Sequence, residues 1–170
     1  LADALTMPQG VVMRVYDGTK GFMKGPRGAQ EFGAMQINDL VHTDLGWAFN
    51  LKGRYTNSRQ LGNEKIGDRE VAVVMGIISD SVRERLYFDT QTGLLLRVLV
   101  TERSPVGWIP TQVDYDDYRD VGGIKLPFTI KHSPIDARNN WTRKFTEIKL
   151  NVPVDDKIFV MPPPPPPSPK

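Results

Sequence analysis

The 170 residues are enough for one domain with a real core and too few for two comfortable ones. Twenty-two Lys and Arg against 20 Asp and Glu leave a formal charge of only +2, too weak a field to argue for a nucleic-acid partner, although the pI of 8.9 is basic. The absence of cysteine excludes disulfides, thiolate zinc sites, c-type haem attachment and cysteine nucleophiles. No run approaches the roughly 18 to 20 apolar residues of a membrane helix, so no membrane span is expected.

In chain order, the first ten residues read as turn-like, and Val11–Tyr16 reads as a strand. Asp17-Gly18 is a tight-turn signal, and Gly21–Lys24 returns as a second strand, broken by Gly25-Pro26-Arg27-Gly28. From Ala29 to Leu45, Phe32, Met35, Ile37, Leu40, Val41 and Leu45 sit near helical spacing and predict a helix that Gly46 ends. Trp47, Phe49 and Leu51 carry an apolar patch onward.

From there the signals are those of strands. Gln60–Ile66 is a polar candidate edge strand closed by Gly67-Asp68. Arg69–Ile78 carries Val71, Val73, Met75 and Ile77 on one parity and Ala72, Val74 and Ile78 on the other, the pattern of a strand covered on both faces. Arg83–Asp89 follows, with Leu86 and Phe88 opposite Tyr87, and Thr92-Gly93 turns the chain into Leu94–Glu102. Trp108–Tyr118, Ile124–His132 and Trp141–Asn151 complete the series. Short strands joined by short turns predict a mainly β, antiparallel meander. Pro162–Pro167, then Ser168-Pro169-Lys170, is a polyproline tail or linker; residues 1–161 are read as a single domain.

Constellations for catalysis are scarce. His42 and His132 fall on different elements without metal-ligand spacing. Ser104 and Ser133 have no nucleophile elbow, and Gly21, Gly25 and Gly28 do not form a phosphate loop. Asp114-Tyr115-Asp116-Asp117-Tyr118-Arg119-Asp120 reads as a surface ladder before it reads as a cation site. Lys24, Arg27, Lys52 and Arg54, with Phe22 and Trp47, read as a solvated rim. An enzyme is not expected, and neither a cofactor nor a metal is implied.

Several motifs resemble those of outer-membrane lipoprotein-sorting proteins, the LolA/LolB-like fold. Tyr16-Asp17-Gly18-Thr19-Lys20-Gly21-Phe22 is similar to their hairpin, and Leu86–Arg97 to their strand–turn–strand signature. Tyr115–Pro127 is similar to the next motif, and Ile148–Phe159 with Met161-Pro162 to the closing strand and exit. The resemblance implies a half-barrel, a curved antiparallel sheet with one or two helices in its concavity, in the bacterial periplasm. It also implies an apolar partner, a lipid or a lipoprotein acyl chain. The residues expected to line the cavity are Val71, Val73, Met75, Ile77, Leu86, Phe88, Leu94, Leu96, Val98, Phe128 and Ile130, with Trp47 and Phe49 near a mouth.

A similar module occurs beside haem-bearing segments of photosynthetic reaction-centre cytochrome c subunits. The alternative expectation is therefore an accessory interaction domain of a larger electron-transfer protein, with no haem bound by this segment. The family pattern has a leading helix and strands before the Asp-Gly hairpin, whereas ten residues precede Val11 here. An N-terminally truncated half-barrel predicts homodimerisation through an exposed strand edge.

Overall fold

The computed structural model describes residues 2–7, 10–17, 19–26, 28–33, 37, 41–42, 51–153 and 155–161, with the backbone alone for 2–7, 10 and 52. Trp47, Phe49 and the polyproline run lie outside the described residues. The chain divides into two units, one of residues 1–47 with 151–170, the other of residues 48–150.

The first unit is a four-stranded antiparallel meander, β1 (Ala2–Met7), β2 (Gly10–Tyr16), β3 (Gly21–Gly25) and β4 (Gly28–Glu31), paired in sequence order. The β2–β3 turn is set by Asp17, whose carboxylate accepts the Thr19 and Lys20 amides at 2.7 Å each. Those amides hold its carboxyl below the usual carboxylate range, Lys20 contributing most. Tyr16 and Phe32 are buried together, with Met23 and Ile37 packed against them.

Two expectations need correction here: within the first ten residues, expected to be turn-like, Ala2–Met7 form β1 paired with β2, and residues 28–31, where a helix was expected from Ala29, form β4. Gly25 pairs with Gly28, Lys24 with Ala29 and Phe22 with Glu31. Gly28 sits at φ 108°, outside the range side chains favour, and pairs with Gly25, so the chain returns along β3. Ile37 and Val41 have helical backbone; the other residues of the expected helix beyond Gly33 are, His42 apart, outside the described set.

The second unit opens with α1 (Leu51–Arg54) and continues as seven antiparallel strands: β5 (Asn57–Ile66), β6 (Arg69–Ser79), β7 (Val82–Asp89), β8 (Leu95–Ser104), β9 (Gly107–Val121), β10 (Ile124–Pro134) and β11 (Trp141–Lys144). The strands pair in sequence order, and the sheet is not closed into a barrel, so a half-barrel fits it. β5 is an edge, as its polarity predicts. It is exposed along nearly its whole length, carries Arg59, Glu64 and Lys65, and is bulged between Gln60 and Gly62. Charge and a bulge both discourage pairing with another chain.

The expected strand Trp141–Asn151 is shorter than its apolar alternation implies. β11 stops at Lys144, and the last amide to reach the sheet is that of Phe145, donating to the Phe128 carbonyl at 2.8 Å. The acidic run is ladder on both sides of Asp117, with Asp116 opposite Thr129, Tyr118 opposite Pro127 and Asp120 opposite Lys125; Asp117 itself takes a left-handed φ of 53° and pairs through its carboxylate with Arg119 at 2.6 Å. The surface ladder expected across that run is therefore interrupted at Asp117 and resumes at Tyr118 in the same register.

Candidate functional site: one apolar sheet face with a buried ion cluster

Side chains alternate across a strand, so cross-strand register decides which residues share a face. The β6–β10 registers align Val74, Leu86, Val98, Val113 and His132 in one row across the sheet. A parallel row holds Ala72, Phe88 and Leu95, and a third holds Gly76, Glu84, Val100 and Thr111. Phe128 and Ile130 belong to the same face through β10, Ile130 opposite Tyr115. Leu86, Val98, Val113 and Ile130 are 0 to 2% exposed. This is a continuous apolar surface spanning five strands and shielded from solvent.

The expected lining residues do not all lie on it. Leu86, Phe88, Val98, Phe128 and Ile130 are brought together; Val71, Val73, Met75 and Ile77 point to the opposite face. There Val71 and Val73 pack with Tyr87 and Leu96, flanked by Ile66 and Leu99. Leu96 reaches that cluster because of a bulge: Tyr87 pairs with Arg97 but Phe88 pairs with Leu95, which leaves Leu96 as the extra residue and turns it toward Tyr87. Leu94 precedes β8 and closes the turn, its carbonyl accepting the Asp89 amide at 2.8 Å.

The apolar face has a charged end. Glu84 is 1% exposed. Arg54 reaches it from the end of α1, with Nη2 2.6 Å from Oε1 and Nε 3.2 Å from Oε2, and the Tyr55 hydroxyl donates to Oε2 at 2.6 Å. Burial and the Glu84 charge push the Tyr55 phenol well above its ordinary range, so it stays a donor. Burial works against the Arg54 charge, but the bond to Glu84 more than offsets it and raises that pKa.

The local sequence explains the placement. Thr56 donates its amide and its hydroxyl to the Ile77 carbonyl, at 2.8 and 2.9 Å, which pins the segment after α1 to β6. Gly76, the cross-strand partner of Glu84, leaves room for the Tyr55 ring directly over the backbone. Arg54, read from the sequence as part of a solvated rim, is here half-buried against a carboxylate. Glu84 was missed in the sequence reading, although a signal was there: it shares the parity of Val82, Leu86 and Phe88, and an acid on an apolar parity needs a cation or a donor.

The β10–β11 end of the face is aromatic and cationic. His132 stacks on its cross-strand partner Trp141, ring centroids 4.9 Å apart and planes 3° from parallel. The Arg143 guanidinium lies 5.0 Å from the Trp141 ring. Among the described residues no group of three or more His, Cys, Asp or Glu is placed to hold a metal ion. No helix among them is long and apolar enough to cross a membrane.

In the first unit a cleft of about 160 Å³ lies between Val15, Phe22 and Glu31 of the sheet and Phe159 and Met161. A shallower groove of about 460 Å³ runs over Val12, Met23 and Ala29.

No family model and no curated protein matches the chain. Among solved structures, it is similar to a DUF1329 family protein from Desulfovibrio piger ATCC 29098, at 14% identity and a TM-score of 0.59, covering 88% of this chain and 68% of that one. The two share a fold. A putative outer membrane lipoprotein-sorting protein domain from Vibrio parahaemolyticus aligns at 12% identity and a TM-score of 0.48, over 83% of this chain and 67% of that one.

Proposed function

We propose that this chain is a non-catalytic, periplasmic domain of the bacterial envelope that binds an apolar ligand, a lipid or the acyl chain of a lipoprotein. The observation that carries the reading is the unbroken apolar surface of Leu86, Phe88, Val98, Val113, Phe128 and Ile130, laid across an open sheet; Leu86, Val98, Val113 and Ile130 are already covered within the chain, so a ligand would reach them only as that cover gives way. An acyl chain needs length and apolar area, and a five-strand row supplies both: strands lie about 4.8 Å apart, so the row spans roughly 19 Å. Area removed from water stabilises such a complex by about 25 cal/mol per Å², before the cost of ordering the chain. The Arg54–Glu84–Tyr55 cluster at one end offers polar groups to a headgroup. The motif resemblance to lipoprotein-sorting domains points the same way. Trp47 and Phe49 remain the proposed mouth. Val71, Val73, Met75, Ile77 and Leu96 form, in this reading, the packing of the opposite face.

The test is native mass spectrometry of protein purified without detergent, before and after organic extraction. A mass excess that extraction removes, identifiable as lipid, is the expected result. A photoreactive fatty acid should then label β7, β8 and β10 on the Leu86 face. A chain that stays apo with added fatty acids and phospholipids overturns the reading in favour of an accessory interaction domain of a larger protein. Homodimerisation through a sheet edge is a separate proposal; with β5 charged and bulged, it would use β11 in the large sheet, and sedimentation velocity across a concentration series tests it.

A further inference from the structure

We infer that the tip of the β8–β9 hairpin, Pro105–Pro110, is a docking element for an anionic lipid surface. β8 and β9 outrun their neighbours. Pairing of β7 with β8 ends at Val82 and Glu102, and pairing of β10 with β9 ends at Pro134 and Thr111. Beyond those points Glu102–Ile109, Arg103–Trp108 and Ser104–Gly107 pair with each other, so the tip projects as a two-stranded ribbon. One amide, that of Arg103, still reaches the rest of the sheet, donating to the Ser81 carbonyl at 2.8 Å.

That ribbon is apolar where solvent reaches it. Val106 is 90% exposed, Trp108 42% and Ile109 39%. Trp108 pairs with Arg103 on one face of the ribbon, Ile109 with Glu102 on the other, and Val106 caps the turn. A folded protein surface covers one face of a ribbon. Apolar groups on both faces and at the end suit a fluid apolar phase that closes around the tip, and tryptophan is favoured at the boundary of such a phase.

The backbone is prepared for the same environment. Pro105 and Pro110 have no amide hydrogen to strand, and Ser104 Oγ donates to the Gly107 carbonyl at 2.9 Å and accepts the Val106 amide at 3.3 Å.

Charge favours an anionic surface. Arg83, Arg85 and Arg103 are exposed on the Trp108 side, Arg83 with its guanidinium 4.6 Å from the Trp108 ring. Of the acids near the base, Asp80 lies in the β6–β7 turn, Glu102 faces the other way, and Asp136, just past the end of β10, is paired with Arg138 at 2.9 Å. Arginines behind an inserted apolar tip stand at headgroup depth, where each adds to the attraction. This inference is independent of the apolar-ligand proposal, because Trp108 lies on the opposite side of the sheet from the Leu86–Ile130 face, and Ile109, although on its side, stands beyond its charged end.

The experiment is co-sedimentation of the full chain with phosphatidylglycerol vesicles and with phosphatidylcholine vesicles, for the wild type and Val106→Asp. The wild type should bind phosphatidylglycerol vesicles, and more weakly those of phosphatidylcholine. Val106→Asp should lower the partition coefficient about tenfold. Its thermal melt should match the wild type because Val106 is exposed; if it does not, Val106→Ser carries the comparison. No binding to phosphatidylglycerol vesicles, or equal binding by the variant, overturns the proposal. So does a tip that drives only self-association, seen as a larger species that Val106→Asp abolishes without vesicle binding. Lipid retained in native mass spectrometry should be the same in wild type and variant, which keeps failure of docking distinct from failure of the ligand site.

Discussion

Gly76→Ala should destabilise the protein through Tyr55 rather than through β6 itself. A Cβ at Gly76 would fall inside the contact distance of Tyr55 Cδ1 and Cε1, with Cγ only 2.7 Å away. The ring cannot swing aside freely, because its hydroxyl is bonded to Glu84 at 2.6 Å and Thr56 ties the next residue to β6. Forcing a methyl into that space costs about 1–3 kcal/mol. Losing a hydrogen bond to a buried carboxylate costs about 1.5–3 kcal/mol more. Replacing a strand glycine by alanine returns about 0.5–1 kcal/mol. The net expectation is a loss of about 2–5 kcal/mol, read as a lower urea midpoint at unchanged m-value. A double-mutant cycle isolates the cause: in a Tyr55→Ala background the same substitution should be neutral or mildly stabilising. An equal loss in both backgrounds would refute the steric account, and with it the placement of Tyr55 over the sheet.

Glu84→Gln should cost about 3–5 kcal/mol, because it leaves the half-buried Arg54 without its counter-charge, whereas Arg54→Leu with Glu84→Leu should recover most of the loss in urea unfolding. The Asp89 carboxyl is held below its usual value of 3.8 by the amides of Thr92 and Gln91 and by Arg69. Because its folded pKa is the lower one, its contribution is complete above the unfolded value and is lost as pH falls through the folded one. The urea midpoint should therefore hold from neutrality to about pH 5 and fall below about pH 4, and Asp89→Asn, which keeps the turn's acceptor, should fall less steeply.

Within the described residues, the strands of the large sheet were legible in the sequence because each is bounded by glycine or by a polar turn. Thr92-Gly93 and Asp120-Val121-Gly122-Gly123 are such boundaries, and Gly93, Gly122 and Gly123 do take positive φ. What failed locally, besides the first ten residues, which hold β1, and the length of β11, was Ala29–Glu31. Its apolar spacing continues into a helical pattern, yet the turn before it is closed by Gly28, whose backbone commits the chain to return along β3. A period counted along one segment cannot register a partner that lies before it.

Membership of a face was harder to read, for a related reason. Val71, Val73, Met75 and Ile77 share a parity, as do Leu86 and Phe88, and nothing within either strand relates the two sets. The relation comes from the β6–β7 register, which sets Val74 against Leu86 and Val73 against Tyr87, and so places the two apolar sets on opposite sides of the sheet. Leu96 needs a further fact, the bulge opposite Phe88, without which it would join Val98. The buried Glu84 runs the other way. It is the wrong chemistry for an otherwise apolar parity, and such a residue signals from sequence alone that a partner must exist. The partners Arg54 and Tyr55 lie in a segment that the strand pattern leaves unassigned, and only the geometry over Gly76 brings them to it. A polar residue that violates a strand's alternation is thus a better pointer to a site than the apolar residues that obey it.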